Sequence, residues 1–138
     1  GLQVDPPLAY APGDAHVGRT PQVAGAAYSY NPRDDKLSTN YAIDLARGTL
    51  VTQGTLEGVA PAVSPNTGRL FTVGSLGLGP LLDAAFDIAD TNNKALVAAR
   101  TVRDSRTRLY QVDLSSGRAS LLGTVAGGGA LRGLAIEP

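Results

Sequence analysis

The chain is 138 residues long, enough for about one domain. Twelve Lys and Arg balance twelve Asp and Glu, so it carries no electrostatic footprint for nucleic acid or an anionic membrane surface. Cysteine is absent, which excludes disulfides and thiolate metal sites, and no apolar run approaches the roughly 20 residues of a membrane-spanning helix. Seventeen Gly and nine Pro favour turns over helices, and with two Phe and no Trp the core must come from Leu, Val, Ile and Ala. Methionine is missing even at position 1. That predicts a chain trimmed from a longer precursor, as removal of a signal peptide would do, and an exported destination: extracellular, cell surface or periplasmic.

Residues 1–22 hold Pro6, Pro7, Pro12 and Pro21. Proline removes a ladder donor and fixes φ, so an extended arm or loop is expected there. Residues 23–30, rich in Ala and Gly, read as a first strand crowded on both faces. A polar turn from Asn31 to Lys36 follows, with Asp34 and Asp35 at a solvated tip. Tyr41, Ile43 and Leu45 then alternate with Ala42 and Asp44, the period of a half-buried strand. The break at Ala46-Arg47-Gly48 turns this strand into a hairpin with residues 49–55. Residues 69–76 form a fourth strand, and Gly77 to Pro80 a crossing.

The second half repeats the plan. Residues 83–89 and 94–101 read as strands around a turn at Asp90-Thr91-Asn92-Asn93, and 102–106 as a charged loop. A second hairpin spans residues 107–129, in which Tyr110, Asp113, Leu114, Gly117, Gly123 and Thr124 match Tyr41, Asp44, Leu45, Gly48, Gly54 and Thr55. A partial third copy sets Gly68, Arg69, Gly74 and Ser75 where Gly117, Arg118, Gly123 and Thr124 stand. Residues 131–137 form a last strand with no partner after it, carrying Leu131, Gly133, Leu134 and Ile136.

Repeated hairpins at this spacing argue for a propeller, sandwich or barrel. The strand pattern predicts an all-β chain: a partial β-propeller of two four-stranded antiparallel blades, 23–77 and 83–127, with the arm 1–22 before them and the orphan strand 131–137 behind. The hairpin motif falls at different places in the two sheets. A blade takes about 40–50 residues and a ring usually about 4–8 blades, so two blades and a strand leave a ring open. An orphan strand also leaves unpaired backbone groups.

Few residues suggest chemistry. His16, beside Asp14, is the only histidine; alone it makes a poor metal site, and no Gly-x-Ser-x-Gly elbow supplies a nucleophile for it. Asp83, Asp87, Asp90 and Asn92, with Asn93, form the densest oxygen cluster, the one place calcium is conceivable, although the spacing is not that of a calcium loop and a plain turn explains it better. Asp44 and Asp113 recur just before a turn, where the expected role is a bond to turn backbone. Gly127-Gly128-Gly129 lacks the Lys and helix of a phosphate loop and reads as a crossing. Arg100, Arg103, Arg106 and Arg108, with Asp104 interleaved, read as a solvated loop. Tyr41 and Tyr110 read as core.

Residues 8–14, 23–28, 68–77, 85–88 and 131–136 together resemble the bacterial family named domain of unknown function 4394, in matching order along nearly the whole chain. The resemblance implies an exported β-propeller protein, with no catalytic residues to carry over. It also implies that the chain corresponds to the C-terminal part of a longer domain, with the upstream blades on another chain or supplied by further copies. The expected role is a non-enzymatic structural or interaction module, with no cofactor. Two other readings remain: a propeller hydrolase, calcium-assisted, whose site is shared with the missing half, and a carbohydrate- or surface-binding module using the tyrosines.

Overall fold

The structure is a computed structural model that describes residues 8–30, 38–56, 61–64, 67–89 and 92–124. Within them the chain is all-β, with no α-helix. The strands are β1 (Ala9–Tyr10), β2 (Val23–Tyr30), β3 (Ser38–Asp44), β4 (Thr49–Gln53), β5 (Arg69–Ser75), β6 (Leu81–Ile88), β7 (Ala95–Thr101), β8 (Arg108–Val112) and β9 (Ala119–Thr124). They form a five-stranded sheet, β1-β5-β4-β3-β2, and a four-stranded sheet, β6-β7-β8-β9, neither closed among the described residues.

The alternation predicts four strands in each sheet; the first has five. The extra strand comes from the proline-rich arm, where Ala9 and Tyr10 run parallel to Arg69 and Leu70 of β5. Pro12 cannot donate to a ladder, so the pairing stops at once. Two residues are too few to show a period, which is why the arm reads as loop in the sequence. The expected last strand, with Leu131, Gly133, Leu134 and Ile136, lies outside the described residues, as do Asp34, Asp35, Asp90 and Gly127 to Gly129.

The two sheets share one core. Tyr41, Ile43 and Leu50 on the first pack against Phe86, Val97, Tyr110 and Val112 on the second. Phe86, Val97 and Tyr110 lie in one row across three strands, because Val97 pairs with both neighbours. Side chains facing each other across a row touch, which is the stabilising unit of a sheet. Burying each large side chain contributes about 1.5–3 kcal/mol. Tyr41 and Tyr110 are both core, each at 6% exposure.

The sheets approach closest at β2 and β6. Gly25 makes this possible: a Cβ there would sit 3.0 Å from the Phe86 Cβ. Away from β2 and β6 a cleft opens between the sheets, beside β5 and the turn after β8. The crossing between sheets is tied at both ends of this wedge. The Leu76 amide donates to Gly48 O at 2.9 Å, the Leu81 amide to Leu45 O at 2.9 Å, and the Ala119 amide to Leu76 O at 3.1 Å.

The repeats are visible in the ladders. Leu50 pairs with Gly74 and Val51 with Thr72, so Val73 is a bulge; Leu109 pairs with Gly123 and Tyr110 with Leu121, so Leu122 is a bulge. β5 and β9 are therefore the same strand of the two sheets, as the partial third copy requires. The hairpin copies sit differently: β3–β4 is an interior pair and β8–β9 an outer one.

Candidate functional site

The two turn aspartates do the same local work. Asp44 Oδ1 accepts the Ala46 amide at 3.0 Å, and Asp113 Oδ1 accepts the Ser115 amide at 2.8 Å. The amides of Gly48 and Gly117 return to the Asp44 and Asp113 carbonyls at 2.8 and 2.7 Å. Both glycines have positive φ, 62° and 85°, which a residue with a Cβ rarely adopts. These are Asx turns, and they explain why Asp and Gly recur at this spacing.

Beyond the turn the two carboxylates differ. Asp44 is fully buried. The Tyr10 hydroxyl donates to its Oδ2, and Arg47 Nη1 reaches the same oxygen at 3.1 Å. The Gln22 amide donates to Oδ1 at 3.3 Å. Arg47 also donates to the Thr20 carbonyl at 3.0 Å, and its guanidinium lies 5.7 Å from the centre of the Tyr10 ring. Burial, and then the Asp44 carboxylate, push the Tyr10 phenol well above its ordinary value; Arg47 opposes them. Four donors converge on a group with about four acceptor positions, so Asp44 has no lone pair left for acid–base work. Its role is to fasten the arm to the sheet.

A second knot ties the arm to β5 at Asp14, between those contacts. Asp14 Oδ1 accepts the Thr72 amide at 2.6 Å, and Oδ2 accepts the Thr72 hydroxyl at 2.8 Å and the His16 amide at 3.0 Å. Partial burial would raise the Asp14 carboxyl, but these donors and the His16 ring together hold it below the usual range. Thr72 has one hydroxyl proton and gives it to Asp14. His16 Nδ1, 3.0 Å from that oxygen, is therefore the donor there. A nucleophilic triad needs the hydroxyl proton to pass to the imidazole; here it goes to the carboxylate. His16 packs beside Tyr10, with ring centroids 5.5 Å apart.

The structure does not bring the oxygen cluster together. Asp83 and Asp87 lie on β6, four residues apart, which in an extended strand separates their Cα atoms by about 13 Å. Asp83 Oδ2 takes two Arg100 donors at 2.8 and 3.0 Å; its Oδ1 is enclosed without a partner, a single oxygen where calcium needs about six to eight. The Asn92 side chain accepts the Lys94 amide at 2.9 Å within its turn. Among the described residues no group of three His, Cys, Asp or Glu could hold a metal. Three of the arginines are paired: Arg100 with Asp83, and Arg106 and Arg108 with Asp104 at 3.0 and 2.7 Å. Side-chain bonding by Arg106, helped by Arg108, holds the partly exposed Asp104 far below the carboxylate range.

Sequence reasoning did not find the inter-sheet cleft, about 670 Å3, lined by Tyr41, Thr52, Leu56, Phe71, Val73 and Leu114 among others. Tyr41, Thr52 and Phe71 fall in one row because Thr52 pairs with both. The size is that of a small-molecule site. Its hydroxyls are committed, however: Thr52 donates to Gly54 O at 2.7 Å, and Thr55 Oγ1 accepts the Val63 amide at 3.0 Å. Its described lining residues are apolar or hydroxyl-bearing, with no carboxylate or imidazole among them, and they can enclose an apolar group. The apolar alternation that would have flagged it reads equally well as core.

No helix among the described residues is long and apolar enough to cross a membrane. Neither a curated protein nor a solved structure matches the chain. Residues 1–135 match the family model described as a domain of unknown function (DUF4394), and the chain belongs to that family.

Proposed function

We propose that the chain is a non-enzymatic structural and interaction module, a pair of blades of an exported bacterial β-propeller. The ring is completed by another polypeptide or by further copies of this chain. One observation carries the reading. The two sheets repeat the same strand with the same bulge, pack face to face, and converge at β2 and β6 while a cleft opens towards β5. This arrangement supports reading the sheets as neighbouring blades around an axis, each burying its face on the next.

The chemistry of the described residues supports a scaffold. Asp44 and Asp14 are taken up by donors from their own turn, the arm and β5, and the inter-sheet cleft is lined largely by apolar side chains and committed hydroxyls. The strand the module would offer to its partner is residues 131–137, with Leu131, Gly133, Leu134 and Ile136. The test is gentle purification from the native source, with intact masses of whatever co-elutes. The expected result is a complex in which other polypeptide accompanies this one; a protein that elutes as a single chain would overturn the proposal.

A further inference from the structure

The arm lies where a blade would. The shared bulge matches Leu50 with Leu109 and Val51 with Tyr110. The ladders carry the match across the sheets, so Ala42 corresponds to Val97 and Asp44 to Ala99. Val97, Ala99 and Tyr110 belong to the inner face of the second sheet and are buried against the first. Their counterparts belong to the outer face of the first sheet. There Ala42 and Val51 form a separate cluster with Leu70 and with Tyr10 of the arm. Asp44, in the place of Ala99, is closed over by the Tyr10 hydroxyl and the Gln22 amide. From Asp14, tied to Thr72, to Gln22, tied to Asp44, the arm crosses this face. It does for the first sheet what the first sheet does for the second.

The two covers differ in kind. The second sheet is covered by a whole sheet with an apolar face, the first by a strand of two residues, the Tyr10 ring and polar fasteners. The narrower cover fits less completely. Asn40, on the same face and corresponding to Ala95, is 8% exposed, and its Oδ1 is enclosed with no partner among the described residues. A buried acceptor left unpaired lowers stability. We propose that the arm is a displaceable strap, a role that rests on the propeller reading: it closes the outer face of the first sheet until the blade that completes the ring takes its place. Packed sheets lie about 10 Å apart, a gap their own side chains fill, so strap and blade exclude each other on this face. Release does not strand the Asp44 carboxylate, because Arg47 and the Ala46 amide belong to its own turn and stay with it. Each bond lost on release, such as the Tyr10 hydroxyl to Asp44, opposes completion. A chain that assembles only with the strap off binds its partner more weakly in proportion to the fraction released.

Hydrogen exchange of the full chain, alone and in the complex purified from the native source, tests it at the Ala9 and Ala11 amides, which donate to Gly68 O and Leu70 O at 2.9 Å. The expected result is protection in the chain alone and exchange in the complex. Tyr10→Phe gives a second readout. It should destabilise the chain alone yet tighten its binding to the co-eluting polypeptide about tenfold, opposite signs that a merely structural role does not give. Arm amides that stay protected in the complex overturn the strap and leave ring completion standing, as does a Tyr10→Phe chain that binds no tighter. A protein that elutes as a single chain removes the propeller reading itself, and the strap with it.

Discussion

The turns after β3 and β8 share a motif and a geometry, yet they sit in opposite environments. Asp44 is sealed beneath the arm and collects Tyr10 and Gln22 from the arm in addition to Ala46 and Arg47 of its own turn. Asp113 is exposed and bonds only locally, to the Ser115 amide and hydroxyl at 2.8 and 2.6 Å. Those bonds, the hydroxyl first, hold its carboxyl below the usual range, but they engage no distant element. The same residue at the same local position is a fastener in one sheet and a turn former in the other. What separates them is the covering strand, not the motif.

This contrast can be broken experimentally. The largest effect should come from Asp44→Ala, which leaves Arg47 and the Tyr10 hydroxyl facing an empty buried site. A loss of about 3–5 kcal/mol is expected in urea unfolding, as for one partner removed from a buried ion pair. Asp113→Ala should be much milder; equal effects would show that the turn alone matters.

Next comes Gly74→Ala. A Cβ there would collide with the Ser116 carbonyl oxygen, at the point where the second turn meets β5. Overpacking against backbone predicts a loss near 3 kcal/mol, about the upper end of the usual range. Gly123→Ala, at the equivalent place in β9, meets nothing within 4 Å and should cost far less. The pair of melting curves measures how tightly the sheets are joined.

Tyr10→Phe should cost about 1.5 kcal/mol, one hydrogen bond to a charged group, while keeping the ring in its place. The smallest effect is the pH dependence of the other knot. The Asp14 carboxyl is held low in the folded chain, so its contribution is complete above the unfolded value of about 3.9 and is lost as the pH falls through the lower folded value. The protection factor of the Thr72 amide, which Asp14 holds, should therefore fall under acid, and Asp14→Asn should remove that acid step. An unchanged acid step in the variant would assign it to another carboxylate.

Much of this fold is legible in the residues. Alternation marks β3 and β8, the Asp–Gly spacing marks both turns, and the copy at Gly68 to Ser75 identifies β5 as the counterpart of β9, because these features depend on neighbours in sequence. β1 is not legible: Ala9 and Tyr10 form a strand only because β5 lies beside them. Nor are the fasteners. Nothing near Asp14 announces Thr72, and nothing near Tyr10 announces Asp44, since each pair is brought together by the arm folding back over the sheet. The cleft is hidden for a related reason, as Tyr41, Thr52 and Phe71 are brought into one row only by the pairing of three strands.

The sequence by itself therefore determined strand period, turn chemistry and internal repetition, all set by φ, ψ and burial over a few residues. Only the tertiary structure decided which aspartate is buried, which edge is closed and where the sheets part. Those depend on contacts between residues 34 to 58 positions apart, and no local pattern encodes them.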